Sequence, residues 1–110
     1  MLKNILKSEV LSLGELVGYQ DGQIASKTLV QNKSVSITLF AFEKDEEISA
    51  HSSDGDALVS VLDGKARITI ADKVYDLSKD ESIVMPAGVP HAVYAAERMK
   101  MLLVVVFPGE

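Results

Sequence analysis

Ala57-Leu58-Val59-Ser60-Val61-Leu62-Asp63-Gly64 and, just after it, Ala66-Arg67-Ile68-Thr69-Ile70-Ala71-Asp72-Lys73-Val74-Tyr75-Asp76-Leu77 decide the fold class. The first run is apolar and ends at a turn dipeptide. The second alternates apolar and polar residues, which is the two-residue period of a half-buried strand. It breaks at Ala71-Asp72-Lys73 and then resumes, the pattern of a β-hairpin. An amphipathic helix would need apolar residues every three or four positions, and this stretch has no such spacing.

The same grammar extends in both directions. Upstream, Gln23 to Val30 lies between the turn signals Asp21-Gly22 and Gln31-Asn32-Lys33. Ser34 to Phe42 follows, rich in β-branched and aromatic residues, and then the acidic loop Glu43-Lys44-Asp45-Glu46-Glu47. Downstream, Ser82 to Met85 stops at Pro86, and His91 to Ala95 and Lys100 to Phe107 complete the set. Eight or nine short strand-like runs with turns between them, and no ten-residue amphipathic helical pattern after residue 20, predict an all-β sandwich or barrel. Met101 to Phe107 has no polar alternation, which predicts a strand buried on both faces. The first dozen residues mix periods, and Asn4 to Leu11 reads either as a short helical turn or as an arm.

Composition narrows the function classes. The chain has 110 residues, 47% apolar and 25% charged, which is one globular domain. Its net charge is −5, and its Lys and Arg are scattered singly, so it lacks the basic patch that nucleic-acid binding needs. The longest apolar run is seven residues, too short to span a membrane, and the N-terminus carries no secretory pattern. Cysteine is absent, which removes disulfides, thiol nucleophiles and Cys-zinc sites and makes a cytoplasmic location the default expectation. A mean hydropathy of +0.18 in so short a chain favours an oligomer with an apolar interface.

Only two histidines occur. His91 follows the rigid turn Pro86-Ala87-Gly88-Val89-Pro90 and opens a strand. His51 ends the approach Glu47-Ile48-Ser49-Ala50 and precedes the loop Ser52-Ser53-Asp54-Gly55-Asp56. Both lie where a strand meets a loop, which is where barrel mouths bind ligands. Strand parity supplies the rest of a pocket. If Ala57 faces inward, so do Val59 and Val61, and if His91 does, so do Val93 and Ala95. Met85 and Met101 add adaptable apolar lining. Gly-rich phosphate loops and a Gly-x-Ser-x-Gly elbow are not present.

These residues resemble the cupin superfamily, whose first motif carries His-x-His and a Glu before a closing Gly, and whose second carries Pro-x-Gly-x-x-His. Val61-Leu62-Asp63-Gly64 is similar to the end of the first, and Pro86-Ala87-Gly88-Val89-Pro90-His91 to the heart of the second. The resemblance covers about residues 35 to 107 and is closest to very small single-domain bacterial cupins. It implies a single-domain jelly-roll β-barrel. The barrel would occupy residues 34–110, with an N-terminal arm and edge strands over 1–33 and a homodimer contact formed by that N-terminal part.

The departures from the family pattern bear on function. Counting back from Gly64 places the family's two histidine positions on His51 and Ser53 and its Glu position on Ala57. Asp45 and Asp80 stand where the motifs open with glycine, and Ala95 where the second closes with Asn. Metal-binding cupins use three His and one Glu, and this chain keeps two of the four. A catalytic metal generally needs three protein ligands, so the site reads as metal-poor. The resulting expectation is a binding module that holds a small organic ligand among His51, His91, Ala57, Val59, Val61, Met85, Val93 and Met101. The alternative is a metal-dependent oxygenase or isomerase, with zinc, nickel, manganese or iron on His51, His91 and a carboxylate from Asp54 or Asp56. A third reading is a barrel that serves assembly alone.

Overall fold

A computed structural model describes residues 1–109, and its architecture is the expected two-sheet barrel. The strands are β1 (Ile24–Gln31), β2 (Val35–Phe42), β3 (Glu47–His51), β4 (Asp56–Asp63), β5 (Lys65–Ile70), β6 (Lys73–Ser78), β7 (Ser82–Met85), β8 (His91–Ala95) and β9 (Met99–Val106). They form a five-stranded sheet in the order β1-β2-β9-β4-β7 and a four-stranded sheet in the order β3-β8-β5-β6. All pairings are antiparallel. The opening stretch therefore does two jobs. β5 and β6 form the hairpin across Ala71-Asp72, with Ile70 opposite Lys73. Asp63-Gly64, in contrast, carries the chain from one sheet to the other. Gly64 has φ +71°, and a side chain there would strike the Arg98 carbonyl, so this corner admits only glycine. Asp45 and Asp80 both take φ +72°, the left-handed conformation that motif glycines would otherwise supply.

The core lies between the sheets. Alternate residues of β4 (Ala57, Val59, Val61) and β9 (Met99, Met101, Val105) face inward against Ile68, Leu77, Val93 and Phe42. A second, smaller core lies outside the five-stranded sheet. There the N-terminal segment lays Ile5, Leu13, Leu16, Val17 and Tyr19 over Leu29, Leu39, Ala41, Leu62 and Leu102. A bulge in β1 at residue 29 frees carbonyls for this arm. Lys3 N donates to Leu29 O at 2.7 Å, and Asn4 Nδ2 donates to Thr28 O at 2.8 Å. Tyr19 clasps the arm to the barrel, with its ring 4.4 Å from the Arg98 guanidinium and its hydroxyl donating to Asp63 Oδ2 at 2.6 Å. Arg98 in turn makes a two-point contact with Glu43 at 3.0 and 2.8 Å.

Of the two readings left open for Asn4 to Leu11, the structure has the arm; the one helical turn described is a 3₁₀ turn at Leu13–Leu16. One sequence reading needs correction: β9 is buried on both faces only part of the way. Its outward residues run from Leu102, beneath the arm, through half-buried Val104 to Val106, which is 57% exposed. The arm is too short to cover the whole outer face. An uncharged row, Ile37–Val104–Leu58–Val84, runs across four strands in register and remains partly uncovered. No helix among the described residues is long and apolar enough to cross a membrane.

Candidate functional site

The turn that precedes His91 is held from three sides. Gly88 N donates to Ser53 O at 2.8 Å, Ala87 N to Asp56 Oδ1 at 2.9 Å, and Ala71 N to Pro90 O at 2.8 Å. Gly88 takes φ +75°, as the tight Pro-x-Gly turn requires. These contacts fix the height at which β8 begins and so place His91 at the mouth of the barrel.

His51 reaches the same place by a different device. β3 pairs with β8 in regular register at Ile48↔Val93, but His51, not Ala50, stands opposite His91. One extra residue is therefore bulged into β3 between them. The bulge shifts the side-chain parity, so Ile48 and His51 line the same space although they are three residues apart. The two imidazole rings meet edge to face with centroids 4.5 Å apart.

A cavity of about 270 Å³ opens beside them, lined by Ile48, His51, Ser53, Ala57, Met85, His91, Val93, Met101, Leu103 and Val105. It unites the two histidines with four of the predicted apolar residues, Ala57, Met85, Val93 and Met101. Val59 and Val61 do not reach it. They face inward as parity requires, but they belong to the packed core rather than the lining, because bulkier neighbours such as Phe42, Ile68 and Met99 fill the barrel there. Sequence reasoning left four lining residues unselected. Leu103 and Val105 share parity with Met101, so that signal was available. Ile48 is hidden by the bulge, and Ser53 lies in the loop after β3, where strand parity gives no signal.

Asp54 and Asp56 lie elsewhere. Asp56 Oδ1 is engaged by Ala87 N, and its side chain faces away from the inward Ala57. Asp54 lines an outer depression with Asn32, Lys33, Phe107 and Pro108. Gly55 between them is buried, and a side chain there would lie 2.5 Å from Val106 O, so this loop is anchored against β9. Among the described residues, no three His, Cys, Asp or Glu side chains converge to hold a metal ion. A divalent metal of the family kind does not fit this donor set. Two imidazoles remain, and the only added side-chain oxygen donor in the lining is a serine hydroxyl.

The hydrogen bonds fix which tautomer each neutral ring adopts. His51 Nδ1 lies 3.0 Å from Ser49 O, and His91 Nδ1 lies 3.2 Å from Val89 O. A carbonyl only accepts, so Nδ1 carries a proton in each ring, and in the neutral form Nε2 presents the lone pair. His91 is only 4% exposed and uses Nδ1 alone, yet no buried side-chain nitrogen or oxygen among the described residues lacks a partner. Its Nε2 therefore keeps open space beside it, and that space is the cavity. Burial, opposed by the Val89 carbonyl and reinforced by the neighbouring His51, pushes the His91 pKa below the ordinary histidine value. The ring is thus neutral, and an acceptor, at neutral pH. Ser53 Oγ accepts from Gly55 N at 3.2 Å, which leaves its hydroxyl proton free.

The barrel has a second, larger depression of about 480 Å³ lined by Ser12, Gly14, Glu15, Leu62, Asp63, Lys79, Asp80 and Lys100. It is shallow and charged, and it lies under the N-terminal arm away from both histidines.

The cupin domain profile matches residues 38–107, a span that runs from β2 to the end of β9 and includes both histidines. The chain belongs to the cupin family. A conserved Streptococcus pyogenes protein of unknown function is similar to this cupin over 99% of its length and 96% of that chain, with 47% identity and a TM-score of 0.97. A cupin superfamily protein from Desulfitobacterium hafniense is 33% identical, with a TM-score of 0.93, over 98% of this chain and 99% of its own. A cupin 2 conserved barrel domain protein from Leptotrichia buccalis is 43% identical with a TM-score of 0.85, and the match covers 87% of this chain but 47% of that one. No protein curated for function matches this cupin.

Proposed function

We propose that this cupin binds a small organic molecule in the cavity behind His51 and His91. One observation carries the reading. The cavity is walled by aliphatic and thioether side chains, and its polar side chains reduce to two imidazoles, each with Nδ1 already bonded to a carbonyl, and the Ser53 hydroxyl. Such a site, apolar with a few convergent polar groups, suits a desolvated organic ligand better than a hydrated ion. The alternative, a metal-dependent oxygenase or isomerase, has in its favour the two imidazoles turned toward one space, but both loop carboxylates are turned away from it. A homodimer belongs to the same proposal, supported by the partly uncovered row Ile37–Val104–Leu58–Val84. A cytoplasmic location belongs to it as well, supported by the lack of cysteine.

A fragment screen by two-dimensional amide NMR on untagged, chelator-treated protein tests the reading. The expected result is that hits shift the amides of Ile48, Ala57, Val93 and Val105. Hits confined to the depression around Gly14 and Lys100, or about one tightly held metal per chain before chelation, would overturn it.

A further inference from the structure

We infer that the ligand of this cavity is a small, flat, uncharged molecule of about one ring that presents two neighbouring O–H or N–H donors to His51 and His91. This inference rests on the organic-ligand reading above and narrows it to a chemical class. Four features of the site select that class.

The first is the direction of the hydrogen bonds. The Ser49 and Val89 carbonyls take the Nδ1 proton of each ring, so in its neutral form each imidazole offers the ligand an Nε2 lone pair and no N–H. A ligand that brought only acceptors would leave the lone pair of the buried His91 opposed and unpaired, which is costly. With ring centroids 4.5 Å apart and both rings lining the cavity, one small ligand can reach both imidazoles. The second is charge. No Lys or Arg lines the cavity, so a carboxylate or phosphate would bury its charge against two lone pairs with only the Ser53 hydroxyl to receive it. The same hydroxyl suits one oxygen of an uncharged diphenol, which can accept as well as donate.

The third is volume. About 270 Å³ exceeds the roughly 150 Å³ that holds a benzene ring in an apolar cavity, but leaves no room for a large fused system. The fourth is the wall. Met85 and Met101 put thioethers on the lining, and sulfur makes favourable contacts with aromatic rings. The alanine at position 57 leaves this space free where a longer side chain on β4 would occupy it.

Three probes of similar size separate the possibilities when titrated against chelator-treated protein and followed by amide NMR. Catechol carries two adjacent donors, 1,2-difluorobenzene has nearly the same shape with none, and benzoate carries a negative charge. Catechol is expected to bind at least tenfold more tightly than difluorobenzene, with benzoate weakest. The paired substitution His51→Leu and His91→Leu should erase the preference for catechol while difluorobenzene still binds. If difluorobenzene or benzoate equals or exceeds catechol, the donor class is wrong although the cavity still binds organic molecules. If none of the three shifts a cavity amide, the organic-ligand reading itself fails.

Discussion

Replacing Ala57 by Glu tests the geometry of the site with a single side chain. Ala57 is 2% exposed, lies on β4 between Met85 of β7 and Val105 of β9, and lines the same cavity as both histidines. A glutamate there projects into about 270 Å³ of largely apolar space, so the cavity admits the side chain but does not solvate its charge. If burial raises the carboxyl pKa by about two to three units, the cost near pH 7.5 is about 3–4 kcal/mol. For a domain of this size each kcal/mol corresponds to roughly 4 °C, so the midpoint should fall by about 12–16 °C. The same carboxylate completes a set of two His and one Glu, the minimum for a zinc site with three protein ligands. Zinc at about one hundred times its dissociation constant would then return about 2.7 kcal/mol, most of the loss. The assay is thermal denaturation at pH 7.5 with chelator and with zinc, on Ala57→Glu and on the unaltered protein. The unaltered protein should shift by no more than a few degrees with zinc. An Ala57→Glu protein as stable as its parent and indifferent to zinc would refute the placement of residue 57 beside the histidines. An equally large zinc shift in the parent would refute the reading that its donor set is incomplete.

Backbone conformation yields opposite expectations at two turns. Gly64→Ala, at φ +71° against the Arg98 carbonyl, should lower stability by at least about 2 kcal/mol in urea denaturation, whereas Ala71→Gly, at φ +55° in the exposed β5–β6 turn, should raise it by about 0.5 kcal/mol. Equal signs for the two would contradict the assigned conformations. His91 predicts the pH dependence of stability. Because its pKa is lowered by burial, the unfolded chain takes up a proton first as the pH drops below about 6.5, so stability should decline from there until the folded-state pKa is passed. His91→Phe should flatten that part of the curve in pH-dependent denaturation, and an unchanged slope would assign it to another group. Leu58→Lys with Val84→Lys places charge in the uncovered row of the five-stranded sheet. Light scattering should find the parent at twice its 11.9 kDa chain mass and the double variant at one, and a parent already monomeric would remove the homodimer proposal.

The fold was legible because its signals are local. Val59, Val61, Ile68 and Ile70 alternate with polar or outward residues, and Gly64, Gly88 and the Asp45 and Asp80 turns stand where the chain must reverse or cross. The cavity was legible in part for the same reason. Met85, Ala57, Val93 and Met101 follow from parity within single strands. Depth along the barrel was not legible. Parity says that Val59 and Val61 face inward, but only the bulk of Phe42, Ile68 and Met99 decides that they lie in solid core instead of on a cavity wall.

The sequence by itself determined the all-β alternation of eight or nine short runs, the loss of two of the four family metal positions, and the spacing that puts His91 just after a rigid turn. Those are properties of residue order, and they follow from side-chain chemistry and backbone sterics at each position. Only the tertiary structure decided that His51 faces His91, that Asp54 and Asp56 turn away, and that the arm covers Leu102 but not Val106. The reason is that each depends on a register between strands distant in sequence. A single bulged residue in β3 reverses which side chains face inward, and no local pattern in Glu47-Ile48-Ser49-Ala50-His51 records that it is there.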